Sequence, residues 1–155
     1  RLLDIGAYPG GWSQVSSKII TVGKILSLDI KKMDKLKNVS FLQCDFLEKG
    51  TKEKILKFFE EKLDVVLSDM AANTTGNKSL DCIRTNQLCI DVVEFSSKIL
   101  KPNGVLVSKL FMGDDFLEVK ELAKSRFKKV QFFKPEASRS ESKETYLHCA
   151  TLRTL

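Results

Sequence analysis

Lys109 stands among Leu106, Val107, Leu110 and Phe111, a run whose apolar character reads as a central strand. An ammonium in such a place is costly unless it is paired or put to use. Asp69, closing the preceding apolar run, is the expected partner, and Glu144, heading the last run, is placed to reach the same point. A structural ion pair would need no more than this. Lysines perturbed by burial and a specific charge partner also concentrate where protons or developing charges are handled, so the trio is a candidate site for that chemistry.

A second constellation lies in Asp4-Ile5-Gly6-Ala7-Tyr8-Pro9-Gly10-Gly11-Trp12-Ser13-Gln14, which joins a short apolar strand to a helix through a glycine-rich turn. Gly6, Gly10 and Gly11 can take positive φ and let a ligand approach the main chain, with unpaired N–H groups of the helix start beyond them. Tyr8 occupies the place where the dinucleotide fingerprint would need its second glycine, so that fingerprint is absent. Trp12 suits packing against a planar or apolar ligand group. Asp29, Asp45 and Asp69 close the second, third and fourth apolar runs, and an acid at the second strand end is placed to accept hydrogen bonds from a ribose diol. Any one of these acids could merely cap the element after it. Together on one sheet edge they favour a nucleoside-type cofactor.

The elements that must position these groups are short apolar runs alternating with helical segments, the pattern of a parallel sheet with helices on both faces. The runs 2–5, 25–28, 39–43, 63–67, 104–110, 129–133 and 145–151 predict seven strands; helices are expected over 12–20, 51–61, 81–100 and 115–127. Lys101-Pro102-Asn103-Gly104 is expected to stop the long helix and turn into the fifth strand. Only a loop, 135–143, separates the last two strands, so they should pair as a hairpin with the final strand antiparallel. The polar stretch Ala71 to Leu80 is placed where binding loops lie, beyond the carboxyl end of a parallel strand.

With 155 residues, 43% hydrophobic and 30% charged, the chain is expected to form one α/β domain over 1–155, with no apolar run long enough for a membrane span. The net charge of +6 is concentrated in two clusters, Lys31, Lys32, Lys35 and Lys37, and Lys128, Lys129, Lys134, Arg139 and Lys143. Either is a solvated loop or a contact for an anionic partner. Cys44, Cys82, Cys89 and Cys149 form no metal-binding spacing, so no metal is expected; they read as free thiols in a reducing compartment. His148, on an alternating strand with Tyr146, is expected to face outward and receives no catalytic role.

The turn DIGAYPGGWSQV, the strand end LSDMAAN, the strand VSKLF and the segment KPEASRSESKETY together resemble the FtsJ/RlmE group of S-adenosylmethionine-dependent RNA ribose 2′-O-methyltransferases, over essentially the whole chain. The last segment, with SLDCIR before the long helix, is most similar to the organellar and alphaproteobacterial branch. The resemblance implies a Rossmann-like methyltransferase fold, S-adenosylmethionine (SAM) as cofactor, and RNA as partner, foremost ribosomal RNA or a ribosomal particle, for a monomer in a bacterial cytoplasm or an organelle such as the mitochondrion. It assigns cofactor contacts to Gly10, Trp12, Asp29, Asp45 and Asp69, with the methionine part by the glycine turn, the ribose hydroxyls on Asp29 and the adenine amino group near Asp45.

Of the family's catalytic Lys-Asp-Lys-Glu set, the last three members match Asp69, Lys109 and Glu144. The first lysine belongs to a helical region preceding the first strand, which is expected to lie upstream of Arg1. The family's Asp-Met-Ala-Pro is Asp69-Met70-Ala71-Ala72 here, which loses a rigid proline. The implied reaction is in-line methyl transfer to a 2′-hydroxyl, with Lys109 as base or as the cation that stabilises the alkoxide. A non-catalytic RNA-binding or assembly module, a transfer-RNA or cap methyltransferase and a small-molecule methyltransferase are the alternatives.

Overall fold

A computed structural model describes residues 1–136 and 142–154. The elements are β1 (Leu2–Ile5), α1 (Gly11–Ile19), β2 (Ile25–Asp29), β3 (Ser40–Gln43), α2 (Thr51–Phe59), β4 (Leu63–Ser68), α3 (Lys78–Ile99), β5 (Leu100–Phe111), α4 (Phe116–Arg126), β6 (Phe127–Phe133) and β7 (Glu144–Leu152). They build one seven-stranded sheet in the order β3-β2-β1-β4-β5-β7-β6. The first five strands run parallel, and β7 lies antiparallel to both β5 and β6.

Register explains which residues meet. Leu26, Leu3, Val66, Leu106, Cys149 and Val130 are successive partners across six strands and therefore share one face. That face packs on Ile55 and Phe59 of α2, Cys89, Val92, Val93 and Phe95 of α3, and Val119 and Ala123 of α4. The next row, Ser27, Asp4, Leu67, Val107, His148 and Gln131, looks the other way. Ser13 of α1 covers its first two members. Helices thus lie on both faces, three on one and α1 on the other among the described residues. Burial pushes the thiols of Cys89 and Cys149 up to about 11 and about 12, as expected for unreactive core cysteines.

The starts of α3, β5 and β6 lie earlier than the sequence predicts, β6 opening at Phe127. α3 starts at Lys78 rather than 81, because Asn77 caps it by accepting from Leu80 N at 3.1 Å. β5 starts at Leu100, since Lys101 to Gly104 forms an irregularity within the strand, between the pairs Leu63–Leu100 and Val65–Val105. His148 lies on the face turned away from α2, α3 and α4, the same face as Tyr146; it is half-buried, and its Nδ1 has no hydrogen-bond partner among the described residues.

Candidate active site

Two rows past His148, on the same face, the partners Lys109 on β5, Tyr146 on β7 and Phe133 on β6 lie side by side, and Asp69 follows the end of β4. Lys109 Nζ is 3.1 Å from Asp69 Oδ1 and 3.4 Å from Glu144 Oε2. Tyr146 Oη lies 3.0 Å from the same Asp69 oxygen and 3.2 Å from Glu144 Oε1. The four groups close a ring in which the phenol has one proton to share between two carboxylates. Burial, followed by the two carboxylates, pushes the Tyr146 phenol well above its ordinary value, so it remains a donor. Among the described residues, Asp69 Oδ2 is the carboxylate oxygen of this ring without a protein partner.

Local bonds hold the ring in place. Asp69 N donates to Ile5 O at 3.1 Å, tying the end of β4 to the glycine turn. Asn86 of α3, fully buried, accepts from Phe111 N and donates to Phe111 O, both at 2.8 Å, which fixes the end of β5. Met112 N donates to Lys143 O at 2.8 Å and so sets Glu144 beside that end. Ala72, in the place of the family's proline, uses the N–H a proline lacks: it donates to Thr85 Oγ1 at 3.1 Å.

The turn after β1 explains two of its three glycines. Gly6 has φ +70°, and a Cβ there would lie 2.8 Å from Met70 Cγ and 3.0 Å from Met70 N. Gly10 has φ +120°, and a Cβ would meet Met33 Sδ at 3.1 Å. Gly11 does not use that freedom: it opens α1 in helical conformation, with open space where a Cβ would be. Gly6→Ala is expected to cost about 1–3 kcal/mol, because strain and the contact with the Met70 backbone act together. Urea unfolding reads this, and an unchanged midpoint would show that the turn relaxes freely.

Around the turn, Asp29 accepts from Tyr8 N at 2.9 Å through Oδ2 and from Lys31 N at 2.8 Å through Oδ1, so it is bonded to the loop it faces. Asp45 is exposed and accepts from Leu47 N at 2.9 Å; its carboxylate bonds none of the other candidate residues. Trp12 packs on Tyr146 with ring centroids 5.5 Å apart, which links the turn to the carboxylate ring. α1 has no side-chain cap, leaving its first N–H groups available.

Beneath the turn lies a group the sequence reading passed over. Asp4 is fully buried; its Oδ2 accepts from Ser13 Oγ at 2.6 Å, Ser13 Oγ is 2.5 Å from Ser27 Oγ, and Asp4 Oδ1 has no partner among the described residues. Burial, opposed by the Ser13 bond and reinforced by Asp69 and Asp29, raises its pKa to about 6. The signal was legible: an acid inside a four-residue apolar strand is as anomalous as Lys109. Tyr146 was also missed, since an aromatic on an alternating strand looks ordinary until register sets it opposite Lys109.

Residues 1–152 match the family of FtsJ-like methyltransferases. A protein called ribosomal RNA large subunit methyltransferase E, from Pelagibacter ubique, is 43% identical over 152 residues, covering 98% of this chain and 75% of its own length. The crystal structure of a ribosomal RNA methyltransferase from Plasmodium falciparum superposes with a TM-score of 0.84 at 28% identity, covering 97% of this chain and 85% of that one. Human methyltransferase-like protein 13, solved with S-adenosylhomocysteine (SAH), shares the fold at a TM-score of 0.72 and 17% identity, over 97% of this chain and 71% of that one. A sheet order with β7 inserted beside β5, a glycine turn at the first strand end and a match spanning nearly every residue lead to one assignment: the chain belongs to the FtsJ-like methyltransferase family.

Proposed function

We propose that this chain is a single methyltransferase domain that moves a methyl group from SAM to a ribose 2′-hydroxyl of RNA, with a uridine of large-subunit ribosomal RNA as target. The ring of Asp69, Lys109, Glu144 and Tyr146 beside the glycine turn carries the reading. The names of the relatives support ribosomal RNA as the substrate, and the SAH in a structural neighbour supports the cofactor. The turn fits the amino-acid end of SAM: uncapped N–H groups of α1 suit a carboxylate, and the unpartnered Asp4 Oδ1 suits an ammonium. Asp29 keeps lone pairs for a ribose diol, and Asp45 stands at the next strand end for the adenine. Gly10, whose missing Cβ leaves room for Met33, shapes the turn that leads into α1, and Trp12 walls the passage toward the carboxylates.

Bound SAM supplies a methyl on a sulfonium, a leaving group that departs as a neutral thioether. The protein's task is to hold the 2′-oxygen in line and manage its proton. Lys109, already paired with two carboxylates, stabilises the charge developing on that oxygen, and Asp69 Oδ2 accepts the proton. Tyr146 and Glu144 keep Asp69 and Lys109 in register.

Phosphates are met by exposed Lys31, Lys32, Lys35 and Lys37, where Lys31 Nζ lies 5.1 Å over the Tyr8 ring, and by exposed Lys128, Lys129 and Lys143. Lys134 is engaged instead with the carbonyls of Ser142 and Glu144, and Arg139 lies outside the described residues. The test is where the methyl goes. Ribosomal RNA methylated with labelled SAM should retain label in alkali-stable dinucleotides, because a methylated 2′-oxygen cannot attack the adjacent phosphate. Label confined to mononucleotides would place the methyl on a base and overturn the ribose assignment.

A further inference from the structure

The row that carries Lys109 and Tyr146 ends at Phe133, and this last member has no role in the chemistry so far described. Its ring stacks on Tyr146, with centroids 5.7 Å apart and planes at 25°, yet 45% of the residue remains exposed. The Tyr146 ring is packed on its other neighbour by Trp12. Three aromatic rings therefore run from the cofactor turn, across the carboxylate ring, to the edge strand.

We infer that the exposed ring of Phe133 is a stacking platform for an unpaired nucleobase of the RNA, next to the ribose handled by Lys109 and Asp69; this rests on the ribose-methylation reading above. Two strand spacings separate Phe133 from Lys109, about 10 Å, a span that a nucleoside bridges when its hydroxyl is at the lysine and its base points to the sheet edge. The strand supplies suitable neighbours. Lys129 and Gln131 alternate with Phe133 on the same face and are exposed, so a cation for a phosphate and an amide for a base edge or sugar line the approach. Every base has a π face, and RNA-binding proteins take unpaired bases on such aromatic surfaces. A base seated there would also hold its ribose against rotation while the 2′-oxygen is aligned.

The experiment compares the full chain and its variants, with SAH present, on an oligouridine of about ten nucleotides and on an abasic oligomer of the same length. Wild type is expected to prefer the base-bearing oligomer. Phe133→Ala should lower that affinity roughly 5- to 100-fold and leave the abasic oligomer unaffected. Phe133→Tyr should restore it, and Phe133→Leu, apolar without a π face, should behave as alanine does. At a half-exposed site the variants should melt with wild type and bind SAH equally. Equal binding of both oligomers by wild type, or wild-type affinity in Phe133→Ala or Phe133→Leu, would overturn the platform. The ribose reading fails separately: missing alkali-stable label in wild type, with base-dependent binding still lost in Phe133→Ala, would remove the assigned reaction and leave the platform standing.

Discussion

Lys109→Ala is expected to reduce methyl transfer to RNA roughly 10²- to 10³-fold while SAM affinity stays near that of wild type. The ammonium is asked to act only when charge builds on the 2′-oxygen, so its loss should appear in kcat rather than in the binding of either substrate. A merely structural pair predicts a different pattern. Removing the lysine from such a pair leaves Asp69 and Glu144 facing each other, and a fully buried pair would then lose about 3–5 kcal/mol of stability. The two carboxylates here are 35% and 28% exposed, so water takes up part of that burden and the fold should survive. Single-turnover methylation, SAM calorimetry and a melting curve on one preparation separate the cases. Wild-type turnover in the variant would end the catalytic assignment.

The second large effect concerns the buried acid under the glycine turn. Asp4 has its pKa raised to about 6 from an unfolded value of 3.8, so between those values the folded protein holds a proton that the unfolded chain has released. Stability therefore falls as pH rises through this window, by about 3 kcal/mol in all, and the deficit persists at neutral and alkaline pH. Asp4→Asn removes the titration. Without cofactor, the stability difference between variant and wild type should shift in the variant's favour by about 3 kcal/mol between about pH 4 and pH 8. In a chain of this size that is roughly 6–12 °C in Tm. The amide nitrogen is itself unpaired at every pH, so the change with pH is the readout and not the offset. SAM affinity should fall at least tenfold in the same variant, because a neutral amide gives an ammonium no counter-charge. A pH-independent difference would show that Asp4 titrates near its ordinary value.

Much of this site can be read along the chain because strand ends are marked by composition. Asp29, Asp45 and Asp69 each follow an apolar run, and the parallel pattern brings such ends to one edge. Lys109 announced itself by being charged among aliphatic neighbours. What resisted was whatever depends on register. The rung Lys109–Tyr146–Phe133 arises only once β7 is paired antiparallel with two strands, and the loop before it has no periodicity that would set that alignment. Asp4 is hidden for the opposite reason: it stands inside a strand and at the head of the glycine turn, where the glycines and Trp12 carry the visible signal. Side-chain competition also lay out of reach, as with Lys134, a member of a basic cluster by composition that spends its ammonium on backbone carbonyls.

The insertion of β7 between β5 and β6 has a consequence in the order of synthesis. β1, β2 and β4, which frame the cofactor turn, are made first, whereas Glu144 and Tyr146 emerge with the last strand. Until it emerges, β6 has no partner in the sheet and Lys109 has only Asp69. A growing chain can therefore form the glycine turn well before it can close the ring of Asp69, Lys109, Glu144 and Tyr146. On the proposed reaction, a chain cut short before residue 144 would keep the cofactor turn and lack Glu144 and Tyr146 of the ring around Lys109.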